Sequence, residues 1–209
     1  VICVDDGCPE NTGNTLETEI NDERLEVIYH LKNRGIGAAM KTGIKHAMTK
    51  KPQIIIKIDS DGQMNPSFIP LLAEPILNGF CDVTKGNRFT NPNVIQKMPF
   101  VRLVGNIGLG FITKLSTGYW ELFDPTNGYI AINASLFKSF HLNKIDDRYF
   151  FETDLLFRFG LRDTLISEIP MDAIYATEKS SLNPFIELFN FMVKHAELFL
   201  KRILYQYFL

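Results

Sequence analysis

The sequence predicts an α/β domain on a mostly parallel sheet, and three observations carry that prediction. Short apolar strands alternate with segments of helical periodicity, as in βαβ units. Two of those strands run straight into acidic turns, Asp5-Asp6-Gly7 and Asp59-Ser60-Asp61-Gly62, and ligands of parallel α/β sheets bind beyond the carboxyl ends of the strands. The composition is that of a globular chain, with 209 residues, 45% hydrophobic and 22% charged. That is enough for a sizeable core and too apolar for wholesale disorder.

The elements follow in order. Val1-Ile2-Cys3-Val4 reads as a buried strand, and Leu25–Leu31 as a second. Between Gly37 and Met48, Ala38, Ala39, Met40, Ile44, Ala47 and Met48 fall at mostly helical spacing. Gln53–Ile58 is rich in β-branched residues and reads as a strand; Pro66–Leu77 reads as a helix and Cys81–Lys85 as a further strand. The second half is less regular, with a helical stretch near Val101–Leu115, a Gly/Asn-rich turn at Asp124–Tyr129 and a helix near Phe151–Phe159. Residues 1–181 are expected to form one domain and 182–209 a helical extension.

Charge and cysteine content narrow the partners. Twenty-two basic residues against 24 acidic ones give a net charge of −2, with no general attraction to nucleic acid. Cys3, Cys8 and Cys81 are too few and too scattered for a disulfide framework or a zinc site, so a reduced, cytoplasmic compartment is expected. No apolar run approaches the ~20 residues of a membrane span, so the chain is not expected to cross a membrane. Because the sequence opens inside an apolar run that reads as a strand, further chain is expected upstream of Val1.

Asp59-Ser60-Asp61 is the sharpest local signal. Alternate acids at a strand end bring two hard oxygen donors toward one point, which suits Mg2+ or Mn2+, and Gln63 can add a carbonyl oxygen. An ordinary turn explains the same residues equally well. Asp5-Asp6-Gly7 at another strand end raises the weight of a nucleoside-diphosphate site, on the expectation that both ends share one sheet edge. Asn33-Arg34-Gly35-Ile36-Gly37 follows a strand and opens a helix, but Met40 occupies the place of the third glycine of a dinucleotide loop, which argues against NAD.

Read together, Val4-Asp5-Asp6-Gly7, Asn33-x-Gly35-x-Gly37-Ala38-Ala39 with Gly43, Asp59-Ser60-Asp61-Gly62-Gln63, Gly86-Asn87-Arg88-Phe89, Asp124-Pro125-Thr126-Asn127-Gly128-Tyr129 and Phe151-Glu152-Thr153-Asp154-Leu155-Leu156 resemble the family-2 glycosyltransferases of GT-A fold. The Asp-x-Asp-Gly-Gln and Gly-Asn-Arg forms are most similar to the dolichol-phosphate-mannose-synthase-like branch.

The resemblance implies a metal-dependent, inverting transfer of a sugar from a nucleotide diphosphate sugar to a polyprenyl phosphate or membrane-associated glycan. By position, Asp5 and Asp6 would contact the base or ribose, while Asp59 and Asp61, with Gln63, would hold Mg2+ or Mn2+ against the diphosphate. Arg88 and Arg102 would offer positive charge to phosphates, and Asp124 and Asn127 would shape the sugar pocket. Asp154, with Glu152 as second candidate, would act as general base if the acceptor is a hydroxyl; a lipid phosphate needs none. A catalytically silent sugar-nucleotide-binding module is the reading from another class, and the retained acids argue against it.

His30, His46, His141 and His195 fit no ligand spacing and are expected to be structural or solvated. Trp120 is expected in the core or stacked on a sugar. Leu182–Leu209 is dense in large apolar residues with Lys194, Lys201 and Arg202 among them. It is expected to pack on the domain, to pair with a second copy in a homo-oligomer, or to lie at the cytoplasmic face of a membrane.

Overall fold

Ile2-Cys3-Val4-Asp5 pair in parallel with Glu26-Val27-Ile28-Tyr29, strand β1 (Ile2–Asp5) running beside β2 (Glu26–Tyr29) in the register Ile2↔Glu26 to Asp5↔Tyr29. The computed structural model describes residues 1–90, 100–172 and 184–208, with 100–102 and 184–188 described by backbone alone. The chain divides into two compact units, Val1–Ile55 with Ala134–Glu152, and Ile56–Asn133 with Thr153–Leu209. The expected boundary at 181/182 lies outside the described residues.

In the first unit, α1 (Thr12–Glu19) links β1 to β2, and α2 (Ile36–Thr49) follows β2. Ala38 and Ile44 of α2 are buried, at the spacing the sequence predicts. The helix start is built by the segment around Asp147: its carbonyl accepts the Ala38 amide at 3.0 Å, and Lys41 Nζ donates to the Ile145 carbonyl at 2.7 Å. Gly37 has no room for a side chain, since a Cβ there would run into the Asp146 carbonyl and the Phe151 side chain.

The second unit is organised on a four-stranded sheet of order β3-β5-β4-β6, with β3 (Ile54–Lys57), β4 (Val83–Asn87), β5 (Ile130–Asn133) and β6 (Ile166–Pro170). Every β4 residue is buried; β4 pairs in parallel with β6 and antiparallel with β5. Both parallel pairings match the expected sheet. The antiparallel β5 is the difference, and it arises because the Asp124–Tyr129 turn returns the chain directly alongside β4.

Helix α3 (Ile69–Leu77) packs on β4, where the buried Thr84 hydroxyl donates to the Leu72 carbonyl at 2.6 Å. Val83, Tyr129, Ile132, Leu156 and Phe159 form the centre of this core. Three further helices are α4 (Phe100–Thr117), α5 (Phe151–Gly160) and α6 (Pro184–Tyr207). At Gly160 the backbone approaches the Thr117 carbonyl too closely for any side chain.

Candidate functional site

The two acidic strand ends belong to different sheets: β1 lies in the two-stranded sheet and β3 in the four-stranded one. The expectation that they share one sheet edge is corrected accordingly. A short apolar strand followed by Asp looks alike in either sheet, so local sequence cannot assign its hydrogen-bonding partner.

Asp5 and Asp6 both hold their own backbone. Asp5 accepts the amides of Cys8 at 2.7 Å and Gly13 at 2.8 Å, fixing the entry to α1. Those hydrogen bonds keep its carboxyl below the ordinary range. Asp6 accepts from the Arg34 amide at 3.0 Å and the Gly35 amide at 2.7 Å, and sits 2.6 Å from His30 Nδ1. Burial pushes the Asp6 carboxyl up, but the hydrogen bonds from His30, Arg34 and Gly35 outweigh it and leave it lowered. His30 in turn reaches Thr42 through Nε2 at 2.9 Å. It is structural, as expected, and it is the residue that ties the acidic turn to α2. Gly35, at φ 104, supplies the backbone shape that aims these amides at Asp6.

Asp59 and Asp61 leave the carboxyl end of β3 two residues apart. Asp59 is half-buried, with Lys57 Nζ 2.8 Å from Oδ2; Asp61 is exposed, and its Oδ1 accepts the Gln63 amide at 2.9 Å. Among the described residues no group of three or more His, Cys, Asp or Glu is gathered as a metal cluster. Two carboxylates fit a hard, water-rich cation such as Mg2+ or Mn2+, which keeps most of its ligands as solvent or substrate oxygens. They do not fit zinc. Lys57 was hidden in sequence by the apolar run around it. Its ammonium neutralises Asp59 Oδ2 at 2.8 Å.

Arg88, Asp124 and Asn127 are brought together. Arg88 grips the fully buried Asp124 with Nε at 2.7 Å and Nη2 at 2.8 Å, a two-point ion pair, and its amide adds a third bond at 3.1 Å. Asn127 Oδ1 accepts the Tyr129 amide at 2.9 Å, closing the turn.

Two residues with no assigned role complete this network. Glu168 of β6 accepts the Asp124 amide at 2.7 Å, the Phe123 amide at 2.9 Å and Asn87 Nδ2 at 2.7 Å. Lys85, buried in β4, donates Nζ to the Asn127 carbonyl. A charged residue inside a short strand was the available signal for Lys85 and Glu168, since burying such a group demands partners.

Asp154 is buried on α5, 3.2 Å from Arg158 Nε one turn on, and Glu152 is half-buried near the start of the same helix. The side chain of Arg102 lies outside the described residues. Trp120 is not in the core: half of it is exposed, with its ring edge toward Phe111 and the centroids 6.2 Å apart. The reason is its place in the exposed turn after α4.

The α/β fold that carries these acidic strand ends is of the GT-A class. Solved structures agree on the fold: glucosyl-3-phosphoglycerate synthase from Mycobacterium tuberculosis, crystallised with Mn2+, uridine diphosphate and glucosyl-3-phosphoglycerate, matches with a TM-score of 0.66 at 19% identity, over 96% of this chain and 67% of that one.

The chain belongs to glycosyl transferase family 2, whose family model matches residues 1–140, and within it to the dolichol-phosphate-mannose-synthase-like branch. It is 31% identical to a UDP-N-acetylglucosamine–dolichyl-phosphate N-acetylglucosaminyltransferase of Methanococcus voltae, over 96% of this chain and 84% of that protein. An undecaprenyl-phosphate mannosyltransferase of Micrococcus luteus is 25% identical over 82% of this chain and 70% of the relative. An uncharacterized protein of Methanocaldococcus jannaschii is 33% identical over 84% and 70%.

Proposed function

We propose that this chain transfers a sugar from a nucleoside diphosphate sugar to the phosphate of a polyprenyl carrier at the cytoplasmic face of a membrane. The observation that carries the reading is the likeness, over 96% of the chain, to a relative named for UDP-N-acetylglucosamine and dolichyl phosphate. The undecaprenyl-phosphate relative supports the same acceptor class.

An acceptor phosphate is anionic at neutral pH, so its oxygen attacks the anomeric carbon with no hydroxyl proton to remove. As that bond forms, the bond from the anomeric carbon to the diphosphate oxygen breaks, and the oxygen departs with the electron pair. A single displacement of this kind inverts the anomeric centre. Asp154, buried beside Arg158, suits a positioning role in such chemistry better than the role of an obligatory base.

Asp59 and Asp61, with Gln63 assisting, would hold Mg2+ or Mn2+. Bound there, the ion supplies neutralisation of the charge that develops on the departing diphosphate. Asp5 and Asp6 serve the donor through the loops they hold, and the Arg88–Asp124 pair gives the Asp124–Tyr129 turn a fixed shape.

The test is transfer of labelled sugar, in detergent with Mn2+, from UDP-N-acetylglucosamine and a panel of UDP and GDP sugars to a polyprenyl phosphate. A lipid-linked product is expected. Asp154→Asn, checked for folding by circular dichroism, should keep most of the transfer. A fall of about a hundredfold or more, the scale of a lost general base, with donor binding intact, would point instead to a sugar hydroxyl as acceptor.

A further inference from the structure

Three isoleucines lead β3 to a lysine. Ile54, Ile55 and Ile56 are half-buried, and Lys57, which ends the strand, is buried, its side chain 7% exposed. Alternate residues of an extended chain share a face, and Lys57 Nζ lies 2.8 Å from Asp59 Oδ2. The turn that carries Asp59 is held by other bonds as well. The Asp59 amide donates to Met64 Sδ at 3.2 Å, and Asp61 Oδ1 accepts the Gln63 amide at 2.9 Å.

A buried ammonium is costly without a carboxylate beside it, and Asp59 gives Lys57 that carboxylate. Burial also denies Lys57 the swing into water open to a surface lysine, so its charge stays beside Asp59 whatever binds there. Two carboxylates and one fixed ammonium carry a net charge of −1, where the Asp59-Ser60-Asp61 motif alone carries −2. The affinity of an oxygen site for a hard cation depends on its charge count. A site so reduced is poor for a bare divalent ion and adequate for one that arrives with diphosphate oxygens. Holding a ligand carboxylate in one orientation is the other thing such a residue can do, and that raises affinity. Here the turn already has bonds of its own, so the positive charge is the larger contribution of Lys57.

We propose that Lys57 is a built-in counter-cation of Asp59 that holds down the affinity for a bare divalent ion and leaves the ion to enter with the diphosphate. The proposal rests on the reading that Asp59 and Asp61 hold Mg2+ or Mn2+, and it is tested on binding rather than on transfer.

Free Mn2+ is followed by electron paramagnetic resonance, whose six-line signal falls as the ion binds. Lys57→Met keeps the length of the side chain and removes its charge, and should bind Mn2+ alone at least about tenfold more tightly than the wild type. Lys57→Arg, which keeps the charge, should stay near the wild type. Adding Asp61→Asn to Lys57→Met should abolish the gain. Unchanged or weaker binding by a folded Lys57→Met would overturn the proposal, and weaker binding would make Lys57 an orienting residue instead. Calorimetry of UDP and GDP with Mn2+, corrected for the complex that ion and nucleotide form in solution, separates the two readings. Mn2+-dependent nucleotide binding beside an unchanged bare-ion affinity in Lys57→Met would overturn the proposal and leave the metal reading standing. A gain that survives Asp61→Asn would overturn both. Should Lys57→Met fail to fold, the wild type decides: bare Mn2+ bound as tightly as Mn2+ with saturating nucleotide overturns the proposal, and binding at least about tenfold weaker supports it.

Discussion

Asp124 has no exposed surface, and its carboxylate meets Arg88 at two points while its own amide is held by Glu168. A buried pair of this kind adds little over well-packed apolar residues, but breaking it by removing one partner strands the other charge. Asp124→Asn should therefore cost about 3 kcal/mol in urea unfolding, and the paired change Asp124→Leu with Arg88→Met should recover most of that loss. A single-variant loss below about 1 kcal/mol would mean that the guanidinium finds water or another acceptor. At this scale the sequence draws attention to charged residues without showing their partners. Arg88 and Asp124 stand out beside Gly and Asn as candidate ligand contacts, and the fold also makes each the other's partner. Charge type is legible in a sequence; which charge is already neutralised depends on residues far away in the chain.

Among elements, those with helical periodicity or an acidic turn at their end were the most legible, and those with neither the least. The helix read at 37–48 is α2, and the apolar runs at the first two acidic turns are β1 and β3. Helix α1, Thr-Gly-Asn-Thr-Leu-Glu-Thr-Glu, has a single large apolar residue and no periodicity to detect. Strands β5 and β6, four and five residues long, are about as short as β1 and β3 but have no acidic turn at their ends to mark them.

The α4–α6 contact was equally hidden, because its buried side is polar. It also makes a titration prediction. Burial lowers the His195 pKa from 6.5 to about 4, so the folded chain keeps this imidazole neutral where the unfolded chain takes up a proton. Stability from this group is complete above the unfolded pKa and is lost as pH falls from about 6.5 toward 4. Between about pH 7 and pH 5 the loss is about 2 kcal/mol. Urea unfolding of the wild type against His195→Gln should show a pH slope that the variant reduces. Parallel slopes would mean that solvent reaches His195.

At the scale of the whole molecule, the family was legible because six short motifs recur in order along most of the chain. Sheet membership was not, since the hydrogen-bonding partner of a four-residue strand is a long-range property. What the two acidic strand ends have in common must therefore be sought in binding. A ligand that engages only the folded chain stabilises it by about 2.7 kcal/mol at a hundredfold excess over its dissociation constant, about 5 °C or more in melting temperature for a chain of this size.

The correct nucleoside diphosphate with Mn2+ should raise the melting temperature by that order, and adding EDTA should abolish the shift. Asp61 is exposed and its Oδ1 accepts the Gln63 amide within its own turn, so Asp61→Asn should melt close to the wild type without ligand, yet gain nothing from nucleotide and metal together. If the variant is stabilised as strongly as the wild type, Asp61 does not hold the metal. If EDTA leaves the wild-type shift intact, the diphosphate is neutralised by basic side chains instead, with Lys57, already beside Asp59, the first residue to replace.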